Sequence, residues 1–465
     1  MMNRTILILM ILAYSLTGCS HISVTKHVHN PYQPIPYIQL QHPSWSKDAT
    51  IYQINTRQFT KQGTIHAAEQ QLPRLQQLGV NILWLMPIQP IGVLHRKGRL
   101  GSPYSIKDYY AVNPELGTLA DLKQFVHHAH QLGMHVILDW VANHTAWDNQ
   151  LVTEHPEWYE KDYQGHFTPT PWWDWSDVID LNYDRPGLRK YMTEAMKYWI
   201  KVADVDGYRA DVAGFVPVDF WNNVRAELDK IKPVFMLAEW ESRDLHKAAF
   251  DMTYAWSWYD AVHQIAQGQA NLNKLFVYYS WNQSAFPKDA YRMVYTSNHD
   301  VNAWENTMYQ AFGKALNATT VLQFTGQGLP LIYNGQEAGN AKRLNFFERD
   351  PIHWQASPLQ ALYHTLIQLK KQYSALWNGH WGATMVSIVN NVPMKVLSFV
   401  RKNQDNGVFV VINFTDQPQT VNFKGSYQYG QYNDWFTKQP VQVNEGTHFT
   451  LKPWQFKLLT WQKHH

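Results

Sequence analysis

The chain has 465 residues, enough for one large domain and a smaller one. Charged residues make up 17% and the formal net charge is +3, which excludes the basic footprint of a nucleic-acid binder. Aromatic side chains reach 14%, with 21 Trp and 26 Tyr; a large core absorbs most of them and rings stacked on sugar faces would absorb others, a choice that composition leaves open.

The first residues read as a targeting signal. Arg4 supplies a positive start, and Ile6 to Leu16 is an apolar run too short to anchor in a bilayer. It ends in Leu16-Thr17-Gly18-Cys19, and Cys19 is the sole cysteine. Residues 1–18 resemble a bacterial lipoprotein signal, in which the cysteine is acylated and becomes the mature N-terminus. That resemblance implies a chain held to the cell envelope by lipid, and Ser20 suits sorting to the outer membrane of a Gram-negative cell. With Cys19 acylated, no thiol remains for a disulfide, a thiolate metal site or nucleophilic catalysis. Residues 19–43 are polar, carry Pro31, Pro34 and Pro36, and read as a tether.

From Thr50 a regular alternation begins. Short apolar runs at Ile51–Asn55, Asn81–Met86, His135–Trp140, Gly207–Ala210, Val234–Ala238, Phe250–Tyr254, Arg292–Thr296 and Leu329–Tyr333 predict eight strands. Helices are expected between most of them, at Ile65–Leu78, Pro186–Val202, Pro217–Ile231 and Pro358–Tyr373. The clearest carries Leu119, Leu122, Val126, Ala129 and Leu132 on one stripe, opened by Thr118 with Asp121 three residues on, the capping-box arrangement. The pattern predicts a parallel (β/α)8 barrel over residues 44–374. The connection after the third strand is too long for a structureless loop and predicts a small inserted subdomain at about 144–185. Beyond residue 375, period-two runs at Met394–Arg401, Gly407–Asn413, Gln419–Phe423 and Phe449–Thr460 predict an antiparallel β-sandwich domain.

In such a barrel the chemistry sits at the carboxyl ends of the strands. Those ends carry Asp139 to His144 on the third strand, Arg209 and Asp211 on the fourth, Glu239 on the fifth and Ser297-Asn298-His299-Asp300 on the seventh. Arg209 and Asp211 are two apart on a strand and share a face. The guanidinium is expected to favour the ionised carboxylate and lower its pKa, as a nucleophile requires. Glu239 follows the apolar run Val234–Ala238, and burial there is expected to raise its pKa. Two carboxylates flanking a bond with a third nearby are the set that glycoside hydrolysis uses.

These blocks resemble the signature regions of the α-amylase family of retaining glycoside hydrolases, in the same order, from about Thr50 to the C-terminus. Gly328 to Glu337 is similar to the family's last strand block. The resemblance implies Asp211 as nucleophile, Glu239 as acid/base and Asp300 as transition-state stabiliser. It implies that Arg209, His144, His299 and Asn298 bind the sugar, with Tyr104 stacking beneath it and Asp139 and Asn143 in support. Two features depart from many members. Gly214 and Phe215 stand where a Lys-His pair is usual, and the acidic calcium loop is absent around Thr60–His66. Asp211-Val212-Ala213 and the Asn182 that ends Val178–Asn182 are instead similar to the neopullulanase and cyclodextrinase branch.

The resemblance therefore implies an α-glucan hydrolase, with α-1,4 bonds favoured, that needs no cofactor. Calcium at Asn143 is allowed rather than expected. An α-glucan transglycosylase with the same site, or a glucan-binding surface lipoprotein without catalysis, are the alternatives; all three carboxylates that a hydrolase needs are present. Trp172, Trp173 and Trp175 are either a sugar-stacking platform or the small core of the inserted subdomain.

Overall fold

The computed structural model describes residues 32–463. Cys19 and the run before it lie outside the described residues, and no described helix is long and apolar enough to cross a membrane.

Strands β1 (Ile51–Ile54), β2 (Ile82–Leu85) and β3 (His135–Val141) are followed by the short β4 (His144–Ala146) and β5 (Val178–Asp180). Then come β6 (Gly207–Asp211), β7 (Phe235–Ala238), β8 (Met252–Tyr254), β9 (Tyr291–Tyr295) and β10 (Leu329–Tyr333). All but β4 and β5 close into a parallel barrel in the order β1-β10-β9-β8-β7-β6-β3-β2. These strands are buried on both faces, which is why their sequences read as continuous apolar runs. Side-chain alternation then sorts them. The Tyr208 hydroxyl donates to Met196 O in the helix Pro186–Ala203, so Arg209, its neighbour, points into the barrel. Register matters equally: Asp139 pairs with Arg209 and Val141 with Asp211, which sets the functional strand ends at one level.

The helix Leu119–Gln131 opens with the capping box expected of Thr118 and Asp121. The helix expected over Ile65–Leu78 is two pieces, Ile65–Glu69 and Leu72–Leu78. Pro73 has no N–H to donate to the preceding turn, and the break falls there. The inserted segment is built on the antiparallel pair β4 and β5, with His144 opposite Asp180.

The C-terminal strands are β11 (Val386–Ser387), β12 (Val396–Lys402), β13 (Asn406–Asn413), β14 (Gln419–Asn422), β15 (Gly430–Asp434), β16 (Pro440–Val443), β17 (His448–Leu451) and β18 (Phe456–Gln462). Six of them form an antiparallel sheet, β11-β12-β13-β18-β15-β16, and β14 pairs with β17. The run expected from Phe449 to Thr460 is interrupted. Pro453 supplies no ladder donor and Trp454 adopts φ 58°, so the chain turns and splits it into β17 and β18. Strand β13 is buried on both faces: Val408, Val410 and Ile412 join the barrel's core, while Phe409 and Val411 pack in a separate cluster with Val421 and Leu451 of β14 and β17.

Candidate active site

A cavity of about 560 Å³ opens at the carboxyl ends of the barrel strands. Asp211, Glu239, Asp300, Tyr104, His144 and His299 all line it. Arg209 lies beneath them, fully buried, and its guanidinium is the hub. Nη1 donates to Asp139 Oδ1 and Asp211 Oδ1, both at 2.8 Å, and Nη2 stands 2.9 Å from Glu239 Oε1. One positive charge thus serves three buried carboxyl groups. Full ionisation would leave two uncompensated negative charges in a low-dielectric floor, so burial outweighs the guanidinium.

Glu239 is pushed up to about 8, first by burial and then by the charges of Asp211 and Asp300, against the pull of Arg209. Asp211 corrects the reading from sequence. Arg209 does pull it down, but burial and the charge of Asp139 outweigh that pull and hold it above the usual carboxyl range. Burial thus raises both carboxyl groups, and the shared guanidinium couples their protonation. Both oxygens of Glu239 accept in this state, one from Arg209 and the other from Val212 N–H at 2.8 Å. A proton donated onward from Glu239 therefore requires it to leave one of those donors when substrate enters.

Asp139 is the second node. Besides Arg209 it accepts from Trp84 Nε1–H and from the Tyr104 hydroxyl, each at 3.0 Å. The Tyr104 oxygen lies 2.7 Å from His299 Nε2, and His299 Nδ1 lies 2.8 Å from the Gln53 amide nitrogen. An amide N–H on Nδ1 assigns the proton to Nε2, which then donates to Tyr104 as Tyr104 donates to Asp139. Burial holds both His299 and His144 neutral by pulling each down to about 4. They act as hydrogen-bonding groups at neutral pH, not as charges.

Asn298 does not line the cavity; its Oδ1 accepts Val301 N–H at 2.8 Å and holds the turn after β9. Asn143 sits behind His144, and its amide nitrogen donates to Asp180 Oδ1 (3.1 Å) and lies 3.2 Å from Thr170 Oγ1. Asn143 and a carboxylate of the inserted segment, that of Asp180, thus meet by a direct hydrogen bond. Among the described residues, one trio, His130, His135 and Asp206, brings three side chains close enough to share a metal ion. It lies at the amino ends of the strands, and Lys232 Nζ already occupies Asp206 Oδ1 at 3.0 Å.

The rim is aromatic. Trp173 and Trp175 stack at 4.9 Å and line the cavity, while Trp172 is fully exposed, so these residues are not a subdomain core. Opposite them Phe215 packs on Trp240 at 5.2 Å and Trp240 on Trp256 at 5.8 Å. Trp240, Trp256, Trp304, Phe346 and Phe347 escaped the sequence reading; of these only Trp240 carried a signal, by following Glu239 directly. Gly214 explains part of this wall. A Cβ there would stand 2.2 Å from the Trp240 ring, so the indole fills the space that a side chain at this position would claim.

Residues 46–372 match the description "Alpha amylase, catalytic domain". The chain belongs to the α-amylase family. Residues 386–458 match the maltogenic amylase C-terminal domain. Alpha-amylase MalA of Haloarcula japonica is 28% identical over 400 residues, a match spanning 82% of this chain and 57% of that longer relative. Neopullulanase 2 of Thermoactinomyces vulgaris is 25% identical across 90% of this chain and 78% of its own. The crystal structure of AmyB, a maltogenic alpha-amylase from Thermotoga neapolitana, superposes with a TM-score of 0.83 at 30% identity, covering 90% of this chain and all of that one. In this α-amylase-family barrel the three carboxylates stand on the strands and loops that the sequence pattern assigned to them.

Proposed function

We propose that this chain is a retaining hydrolase of α-glucosidic bonds in short α-glucans, with α-1,4 bonds favoured. The observation that carries the reading is the shared guanidinium of Arg209, which brings Asp211 and Glu239 together on the floor of one aromatic-rimmed cavity. An Asp211 oxygen attacks the anomeric carbon while Glu239 passes its proton to the departing glycosidic oxygen. The glycosidic C–O bond breaks and a glycosyl ester of Asp211 forms. Water, deprotonated by Glu239, then attacks the same carbon, frees Asp211 and returns the proton to Glu239. Asp300 faces the positive charge that builds on the ring.

Variants separate the two roles. Asp211→Ala should abolish turnover on every substrate while glucan binding persists. Glu239→Ala should lose natural glucans yet still form the intermediate from an aryl glycoside with a good leaving group. Azide, which needs no base, should then restore turnover and yield the α-glycosyl azide. A Glu239→Ala enzyme that is dead on activated substrate and deaf to azide would remove Glu239 from its role.

One observation favours transfer to sugar as a second activity of the same site. The wall of Phe215, Trp240 and Trp256 beside Glu239 offers apolar faces on which an acceptor sugar could stack in place of water. Products longer than the substrate at high maltose concentration would identify it. For its place in the cell, the Leu-Thr-Gly-Cys ending supports an envelope protein with acylated Cys19, whose multiple chains would hold it to membrane. Mass spectrometry of the mature protein should find the acylated cysteine at the N-terminus; an unmodified start further downstream would overturn this.

A further inference from the structure

At the other end of the barrel lies a second cavity, of about 260 Å³. It sits between the amino ends of β9 and β10 and the segment Trp377–Thr384 that leads into the C-terminal sheet. Arg292, Arg401 and Lys288 line it, and no carboxylate does. Asp289, next to Lys288 in sequence, is not part of the lining and is paired with His380 at 3.1 Å.

Arg401 is 4% exposed, and its hydrogen bonds go to backbone carbonyls alone: Nε to Ala383 O (3.0 Å), Nη1 to Gly326 O (2.6 Å) and Nη2 to Trp377 O (3.1 Å). Among the described residues no carboxylate stands within ion-pair distance of it. Burial pulls it down to about 10, as expected of a cation without a counter-charge. Arg292 is 2% exposed and pairs with Glu241 and Tyr254 O through Nη2 alone. Its Nε and Nη1 have no hydrogen-bond partner, the guanidinium lying 3.7 Å over the Phe286 ring, and neither has Trp377 Nε1. The one unmet acceptor in the lining is Asn282 Oδ1. Buried donors are almost always satisfied, and buried charge is almost always compensated. Here both shortfalls have the same sign and fall around one cavity.

We infer that this cavity binds a small oxyanion, as a free phosphate or as a phosphate ester. Its oxygens would accept from Arg292 and Trp377, and its charge would offset Arg401. The space exceeds what one water molecule needs, which leaves room for an organic group beside the anion.

The test uses the whole mature chain, with inorganic phosphate and glucose 6-phosphate as probes against chloride at matched ionic strength. Titration calorimetry should show saturable one-to-one uptake of at least one probe, and the same probe should raise the melting temperature. Phosphate alone points to the free ion; the ester alone points to the organic source. Thr384→Glu, at an exposed position of the lining, places a carboxylate in the cavity and should weaken uptake tenfold or more while leaving kcat/KM on maltoheptaose unchanged. Arg401→Gln should do the same, and Thr384→Glu carries the test alone if that variant fails to fold. No heat from either probe beyond chloride means the cavity holds only water, and undiminished uptake by Thr384→Glu means the anion binds elsewhere; either result overturns the inference.

Discussion

Arg209 couples the protonation of the site, because it contacts three carboxyl groups and its single charge cannot offset all of them ionised. Asp139 accepts from Trp84 and Tyr104 as well, yet burial raises it too, so the three groups titrate as one coupled cluster. The proposed mechanism needs Asp211 ionised and Glu239 protonated. Rate therefore falls at low pH as Asp211 gains a proton and at high pH as Glu239 loses one. Burial raises both groups, so the optimum of kcat/KM lies near neutrality and not in the range of free carboxyls near 4. The check is a pH profile on an aryl glycoside. Glu239→Gln, which cannot lose that proton, should keep the acid limb and lose the alkaline one. An alkaline limb that survives the substitution would assign it to another group. The Gly214–Trp240 pair shows a different side of the same site. With no Cβ at residue 214, the Trp240 indole fills the space that a side chain there would claim.

Strand β6 carries Asp211, the proposed nucleophile, and its first residue limits what the strand can tolerate. Gly207 has φ 147°, and a Cβ there would lie 1.9 Å from Phe235 O of β7. Gly207→Ala must therefore push two barrel strands apart, at a cost of about 3 kcal/mol or more. A lower melting temperature and a loss of activity should appear together, since Arg209 and Asp211 ride on that strand; an unchanged melting temperature would show that the barrel absorbs the methyl. The barrel strands were legible because burial on both faces leaves unbroken apolar runs, and the site was legible because its residues stand at the ends of those runs. Strands β15 and β16 were not legible. In β15 only Tyr432 and Asp434 turn inward, so Gly430-Gln431-Tyr432-Asn433-Asp434 lacks the apolar alternation that marks a strand. The aromatic rim was missed for a related reason. Trp256 opens the helix Trp256–Ala266, Trp304 sits in the helical turn Val301–Glu305 and Phe346 lies in a loop, and only the closed barrel gathers them around Asp300 and Glu239.

Barrel and C-terminal sheet share one core, and that governs how the whole molecule holds together. Leu397 and Phe399 of β12, Val408, Val410 and Ile412 of β13 and Leu458 of β18 belong to the same buried cluster as the barrel strands. Polar ties cross the same boundary: Arg401 donates to Gly326 O ahead of β10, and Asn406 Oδ1 accepts Ala375 N–H at the end of the last barrel helix. An interface of this kind behaves as interior and not as a loose domain contact. Removing residues 386–463 would strip those apolar side chains from the barrel and leave a large uncovered patch, a surface that drives association. The two parts should therefore unfold in one calorimetric transition, with calorimetric and van't Hoff enthalpies in agreement. The barrel cut after Tyr373 should be insoluble or aggregated while the whole chain is monodisperse. Two resolved transitions, or a soluble and active truncated barrel, would show that the sheet is an appendage and that the site needs only the strands that carry it.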